Sequence, residues 1–340
     1  MFNAHRMTQA VLATAAVTVA SVGLSAAPAQ AAAAGSVKVT GWGLGSQVVF
    51  TAAKGQANSI VVTRSGRTVT VDDRVAVRAG KGCKAVRGDR TKVRCTAGAG
   101  ETLLRFALGD RNDRFVNRTS LSGTVRGGTG RDNLAGGSGD DFFFADSGTD
   151  RLVGNAGDDL LLGGTGDDVL DAGAGTDTMD GGTGADVLKG GSGRDEVRYD
   201  DRRHAVTVDL DGSRRDDGER GERDSVAADV EDVSGGYGPD VLTGNGSRNV
   251  IWGSGGNDVI RGRGGNDVLL AGLGNDRVHG DAGNDRIFGE PDFAAEPEEN
   301  PGSDRARDRV DGGSNTSAGD ECFVRKAGVA VNCERRASTL

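Results

Sequence analysis

The chain has 340 residues, of which 58 are Gly, only 4% are aromatic, and the formal net charge is −9. So much glycine beside so little aromatic bulk excludes a conventional thick core and leaves low-complexity disorder or a repeat architecture. The acidic balance argues against nucleic acid or an anionic membrane as partner, and toward cations.

In chain order the first element is an address. His5 and Arg6 precede an apolar run over 10–24 and then the small-residue stretch SAAPAQAAAA, with Ala29-Gln30-Ala31 as the best cleavage site. This is the layout of a secretory signal peptide over 1–31, too short in its apolar run for a spanning helix. No later segment is apolar enough for membrane insertion, so the mature product is expected to be secreted or held at the cell surface. Residues 32–107 read as short strands (SVKVT, QVVFTA, SIVVTRSGRTVTV, KVRCT, TLLRFAL) and predict an N-terminal β-rich cap. Four cysteines fall in two close pairs, Cys83 with Cys95 and Cys322 with Cys333, which favours two local bridges among the three connectivities. A thiolate metal site is disfavoured, because no CxxC spacing or neighbouring histidine accompanies them.

Residues 108–116, LGDRNDRFV, open a first block over 108–198 as a degenerate rung, with Asp113 where later units carry Asp and Arg111 in place of Gly. From Gly127 the chain divides without gaps into nonapeptides such as GGTGDDVLD and GGTGADVLK, and a second block runs over 235–288. Fourteen units result. Position four is Gly in all but Ser247, position six is Asp in all but Asn249, and position eight is always aliphatic, Met or Phe. Glycine permits a left-handed curl, carboxylates suit a hard cation that wants six to eight oxygens, and position eight is the regular core residue.

These nonapeptides resemble the RTX, or haemolysin-type calcium-binding, repeat GGxGxDxUx. The resemblance implies an all-β fold, a parallel β-roll (β-solenoid) of calcium-binding repeats between β-rich, disulfide-bonded N- and C-terminal caps. In that fold GGxGxD is a Ca²⁺-binding turn, xUx is a short strand, and two repeats complete one turn of the coil. Asp132, Asp150, Asp168 and Asp186 would then stack on one edge, and Asp141, Asp159, Asp177 and Asp195 on the other. The second block would stack Asp240, Asp258 and Asp276 opposite Asn249, Asp267 and Asp285. The implied metal site comprises these aspartates with Gly128, Gly130, Gly137, Gly139, Gly164, Gly166, Gly182, Gly184, Gly191 and Gly193, holding about ten Ca²⁺ ions. GNGSRNVIW departs at both Ser247 and Asn249 and is the weakest site of the series.

Between the blocks, residues 199–234 lose the motif and read as a wider turn. HAVTVDL and ADVEDVS are its strands, and DGSRRDDGERGERDS is an exposed loop whose arginines pair with its acids. Downstream, 289–340 begins with a Pro/Glu-rich loop, continues through RARDRVDGG as a last degenerate rung, and ends in a hairpin closed by Cys322–Cys333. Arg87-Gly88-Asp89 invites an adhesion reading, though chance alone explains such a triplet in this composition. Three glycosylation sequons begin at Asn117, Asn245 and Asn315.

Catalysis finds no constellation. The mature chain has only His204 and His279, in no HExxH, and there is no GxSxG. The reading is a secreted, non-enzymatic calcium-binding protein that folds on export. The alternatives are a calcium-stiffened adhesin or interaction module, with an extracellular partner to be found, and an accessory part of a secreted hydrolase.

Overall fold

A computed structural model describes residues 34–42, 45–213, 215–289, 309–315, 321–324, 329–331, 333 and 335–338. The expected signal peptide and the whole Pro/Glu-rich stretch EPDFAAEPEENPGS lie outside the described residues. Regular structure among the described residues is all strand, most of it parallel. No helix among them is long and apolar enough to cross a membrane.

Each nonapeptide spends three residues on a strand, and alternation sends only the middle one inward. Leu152 pairs with Leu170 and Leu161 with Met179, so same-sheet neighbours lie 18 residues apart and two repeats make one turn. All fourteen position-eight side chains are fully buried. In the first block pairing extends into the turns, Gly173 with Gly191 and Gly175 with Gly193, so Val169–Gly175 and Val187–Gly193 are long strands. The second block keeps only three-residue strands such as Val259–Arg261 and Val268–Leu270.

One 15-stranded sheet runs from Val77–Ala79 to Arg335–Ser338, and two shorter sheets share the opposite side in succession. The 10-stranded sheet ends at Ser225–Val226, and the 7-stranded sheet takes over with Gly218–Glu219 and Val206–Asp209. The 199–234 segment is therefore one wide turn that hands one sheet to another, while Val197 pairs with Val233 across it in the long sheet. Its charged stretch differs from the sequence expectation. Gly218–Glu219 and Ser225–Val226 are short strands, and Asp217 and Asp224 are buried. Among the described residues Arg202 faces Asp180, Asp201 and Glu222, while Arg194 pairs with Asp232 and Arg198 with Asp200. Arg202 also packs over the Tyr199 ring.

The N-terminal cap has a different texture. Ser59–Ser65, Thr68–Asp72, Asp89–Thr96 and Cys83–Val86 pair antiparallel, and Gly35–Trp42 pairs antiparallel with Gly45–Thr51. Phe50, Phe106, Phe115 and Phe143 form a continuous buried contact from cap into roll, with centroids 5.6, 5.0 and 6.3 Å apart. The Cys83–Cys95 bridge joins directly paired residues of the terminal hairpin. At the other end the described residues do not form the expected hairpin. Glu321–Val324 adds parallel to Arg286–Phe288, and Val329–Val331 adds parallel to Arg309–Asp311. Cys322–Cys333 thus ties two further rungs, where Phe323 stacks on Phe288 at 4.8 Å.

Close stacking makes the turn glycines obligatory. Gly166 has φ +122°, and a Cβ there would overlap the Gly148 carbonyl oxygen of the turn below. That oxygen is backbone and cannot swing aside. Gly166→Ala is expected to cost about 2–4 kcal/mol through left-handed strain plus this clash. The midpoint of urea unfolding at saturating calcium measures it.

Candidate metal centre

The turn 163–168 shows how the columns are built. Gly164 and Gly166 take left-handed φ of 104° and 122°, curling the chain so that Asp168 points inward and is 1% exposed. The Asp168 N–H donates to Asp186 Oδ1 at 2.8 Å, and Asp168 Oδ1 accepts from the Asp150 N–H at 2.7 Å. Its other oxygen, Oδ2, has no hydrogen-bond partner. Both this oxygen and the Gly181 carbonyl oxygen converge on the space where Gly163 lacks a Cβ. Two oxygen atoms thus face one another with no N–H or hydroxyl donor between them.

The arrangement repeats along each edge. N–H to Oδ1 bonds link Asp113, Asp132, Asp150, Asp168 and Asp186 in one ladder. Asp141, Asp159, Asp177 and Asp195 form the second. In the second block Asp240, Asp258 and Asp276 form one ladder and Asn249, Asp267 and Asp285 the other, as the 18-residue period requires. Oδ2 is bare and buried in Asp132, Asp150, Asp159, Asp168, Asp177, Asp186, Asp195, Asp258 and Asp267, and none of these nine is ion-paired.

Burial sets their charge state. Loss of water pushes the carboxyls of Asp132, Asp159, Asp168, Asp186, Asp195, Asp258 and Asp267 up to about 7. The ladder N–H groups pull the other way, and charged neighbours in the column add to the rise. Asp150 and Asp177 are raised for the same first reason. A buried carboxylate column without counter-charge is costly when ionised. Stacked carboxylate and carbonyl oxygens with no competing donor are the donor set of a hard divalent cation.

The first turn of three columns is different. Asp141 Oδ2 accepts from the Gly137 N–H, Asp240 Oδ2 from the Gly236 N–H, and Asn249 Oδ1 from the Asn245 N–H. None of these position-two residues is left-handed, whereas Gly128, Gly164, Gly182 and Gly191 are. Gly137 and Gly139 therefore do not supply the curl that Gly130, Gly184 and Gly193 supply in their turns. The reason is local: below Gly137 lies the Thr119 carbonyl oxygen of an unrelated turn, so no left-handed template exists there. Non-glycine residues do adopt the curl at Asp146, Asn155, Ser254, Arg263 and Asp281, with φ between 64° and 75°.

Two residues that carry no motif continue the columns. Asp186 N–H donates to Asp224 Oδ1 at 2.9 Å, and Asp195 N–H donates to Glu231 Oε2 at 3.0 Å. Asp224 Oδ2 accepts the Tyr199 hydroxyl at 3.1 Å, so that edge ends in a neutral donor. At the opposite end Asp113 repeats the cradle. Gly109 and Arg111 are left-handed, with φ of 99° and 84°, and Asp113 accepts the Asn58 N–H at 2.5 Å. Elsewhere, Asp209, Asp211 and Asp216 gather within 4.8 Å. Backbone N–H groups of the same loop already use Asp209 and Asp211. In the Arg87-Gly88-Asp89 turn, Asp89 is taken by the Thr91 hydroxyl at 2.6 Å and by Lys92 at 3.3 Å, so it is not presented as a free carboxylate.

Overlapping stretches of the chain, 120–152, 144–179, 153–188, 171–201, 234–269 and 262–292, match the family model of the RTX calcium-binding nonapeptide repeat. Comparison with curated proteins finds no match.

Proposed function

From the premise that this is an RTX calcium-binding repeat protein, we propose that it is secreted and non-enzymatic, and that calcium uptake outside the cell drives folding of its roll. The bare Oδ2 column carries this reading. Asp132, Asp150, Asp168 and Asp186 on one edge, and Asp159, Asp177 and Asp195 on the other, would hold the ions, with Asp258 and Asp267 in the second block. When bound, calcium supplies the positive charge that lets these carboxylates stay ionised in the interior. The chain's own part is geometric: left-handed glycines aim carbonyls between turns, and the N–H to Oδ1 ladder fixes each carboxylate. The two disulfides fit an oxidising compartment.

Adjacent aspartates give the test. Asp168 is buried in the ladder, while Asp167 is exposed and accepts only the Ala185 N–H. In calorimetric titrations of the intact chain, Asp168→Asn is expected to remove or weaken about one site by tenfold or more. Asp167→Asn should titrate as wild type. Equal effects of the two substitutions would reject the column as the binding locus.

A further inference from the structure

The net charge conceals a division. Residues 34–107 carry 13 Lys and Arg against 4 Asp and Glu, while 108–340 carry 27 against 46. Twelve of those thirteen basic side chains are exposed, and among the described residues only Lys92 of the thirteen is ion-paired, to Asp72 at 3.0 Å and Asp89 at 3.3 Å. The cap is a basic body attached to an acidic roll.

The charge is densest on the terminal hairpin. Lys84 stands directly opposite Arg94 across Cys83–Val86 and Asp89–Thr96, one step from the disulfide-linked pair Cys83 and Cys95. Like charges on facing strands repel. Here a covalent bridge holds them together, and no acid among the described residues pairs with either. Arg87 and Arg90 extend the row through the hairpin turn, and Arg78 and Lys81 lead into it, all exposed. Arg94 also faces Thr70, which faces Thr63, while Thr68 faces Thr96, so the outward face of this sheet sets hydroxyls beside the cations.

We propose that this face of the N-terminal cap binds an acidic polysaccharide. Arg and Lys match carboxylate or sulfate groups, and a row of threonines offers donors and acceptors to sugar hydroxyls. The other polyanions fit less well. Every large hydrophobic side chain exposed among the described residues, Tyr237, Val241, Trp252 and Leu273, lies in the second repeat block. Among the described side chains the cap presents no exposed apolar wedge for a bilayer and no exposed aromatic platform for stacking nucleobases. The repulsion between Lys84 and Arg94 is relieved only when anions arrive, so association is expected to be steered by charge and weakened by salt. Placing the glycan outside the cell rests on the secretion proposed above; the charge match does not.

The test uses the full mature chain in saturating calcium. Binding to immobilised heparin and to dextran sulfate is measured across a salt series, with uncharged dextran, duplex DNA and phosphatidylglycerol vesicles as the other arms. The expected result is retention on both sulfated glycans, none on dextran, and a loss of about tenfold or more in affinity for the K84E/R87E/R90E/R94E variant. The neutral set K84Q/R87Q/R90Q/R94Q should fall between. A reversal of Arg261 and Arg277, exposed on the roll, should change little. Calcium calorimetry and far-UV circular dichroism on each variant report the fold and the metal columns separately. Wild-type binding by the fourfold variant, no glycan binding at all, or tighter binding to DNA or vesicles than to glycan would each overturn the proposal.

Discussion

Chelating calcium from the intact chain is expected to erase the far-UV strand signal of the repeat blocks while that of residues 34–107 survives. Each nonapeptide buries one regular core side chain, and the nine bare carboxylate oxygens must enter the interior with it. Without a cation, the favourable burial of one aliphatic group is set against an ionised carboxylate stripped of water. The cap faces much less of this opposition, Asp73 being its one buried carboxylate with an unpartnered oxygen among the described residues. Val37, Val48, Phe50, Ile60, Val62, Val69, Val71 and Val93 are buried together, its sheets close by antiparallel pairing, and Cys83–Cys95 restrains its unfolded state. At the cap boundary Asn58 donates both its N–H and its side-chain amide to Asp113 Oδ1, tying the last carboxylate of the column to the cap. Hydrogen exchange followed residue by residue with and without chelator separates the two regions. Roll amides that stay protected in the metal-free chain would sink the prediction, as would a cap that unfolds together with the roll.

How far the sequence alone leads depends on whether a feature repeats. The ladder was legible because Asp at position six and an aliphatic at position eight recur every nine residues, and a period of 18 places Asp150, Asp168 and Asp186 on one edge. Asp224 and Glu231 were not, since they reach their columns through a wide turn with no motif, Asp224 lying 38 residues from Asp186. Only three-dimensional pairing reveals that spacing. The exchange of one sheet for another at Ser225–Val226 and Val206–Asp209 was hidden for the same reason. Composition misled in one respect: a total of −9 describes neither part of a chain whose cap is basic and whose roll is acidic. Gly137 shows the limit of motif reading at finer scale. Its residue type fits the repeat, but the turn beneath it sets a conformation in which its N–H takes the oxygen, Oδ2 of Asp141, that later turns leave bare, while Asp141 Oδ1 stays buried without a partner.

The same carboxylates predict an inverted response to pH. In the metal-free fold burial lifts Asp132, Asp159, Asp168, Asp186 and Asp195 from an ordinary 3.8 to about 7. Between these values the folded chain retains protons that the unfolded chain has released. Stability contributed by such groups is therefore complete below about 4 and is lost as pH rises through about 7. Acid, which unfolds most proteins by protonating paired carboxylates, should here order the chelated roll, because a proton neutralises the column as a cation does. With calcium present the sign reverses for binding: protons compete for the same oxygens, so affinity falls as pH drops toward the range where the column titrates. The expected observation is a chelated protein disordered over the repeats at pH 7.5 that gains strand signal on acidification to about pH 4.5, while calorimetric calcium affinity declines over the same interval. Asp168→Asn, neutral at every pH, should make the chelated roll less dependent on acid, whereas Asp167→Asn on the exposed neighbour should not. Loss of strand signal in the chelated chain on acidification would show that the buried column does not govern folding.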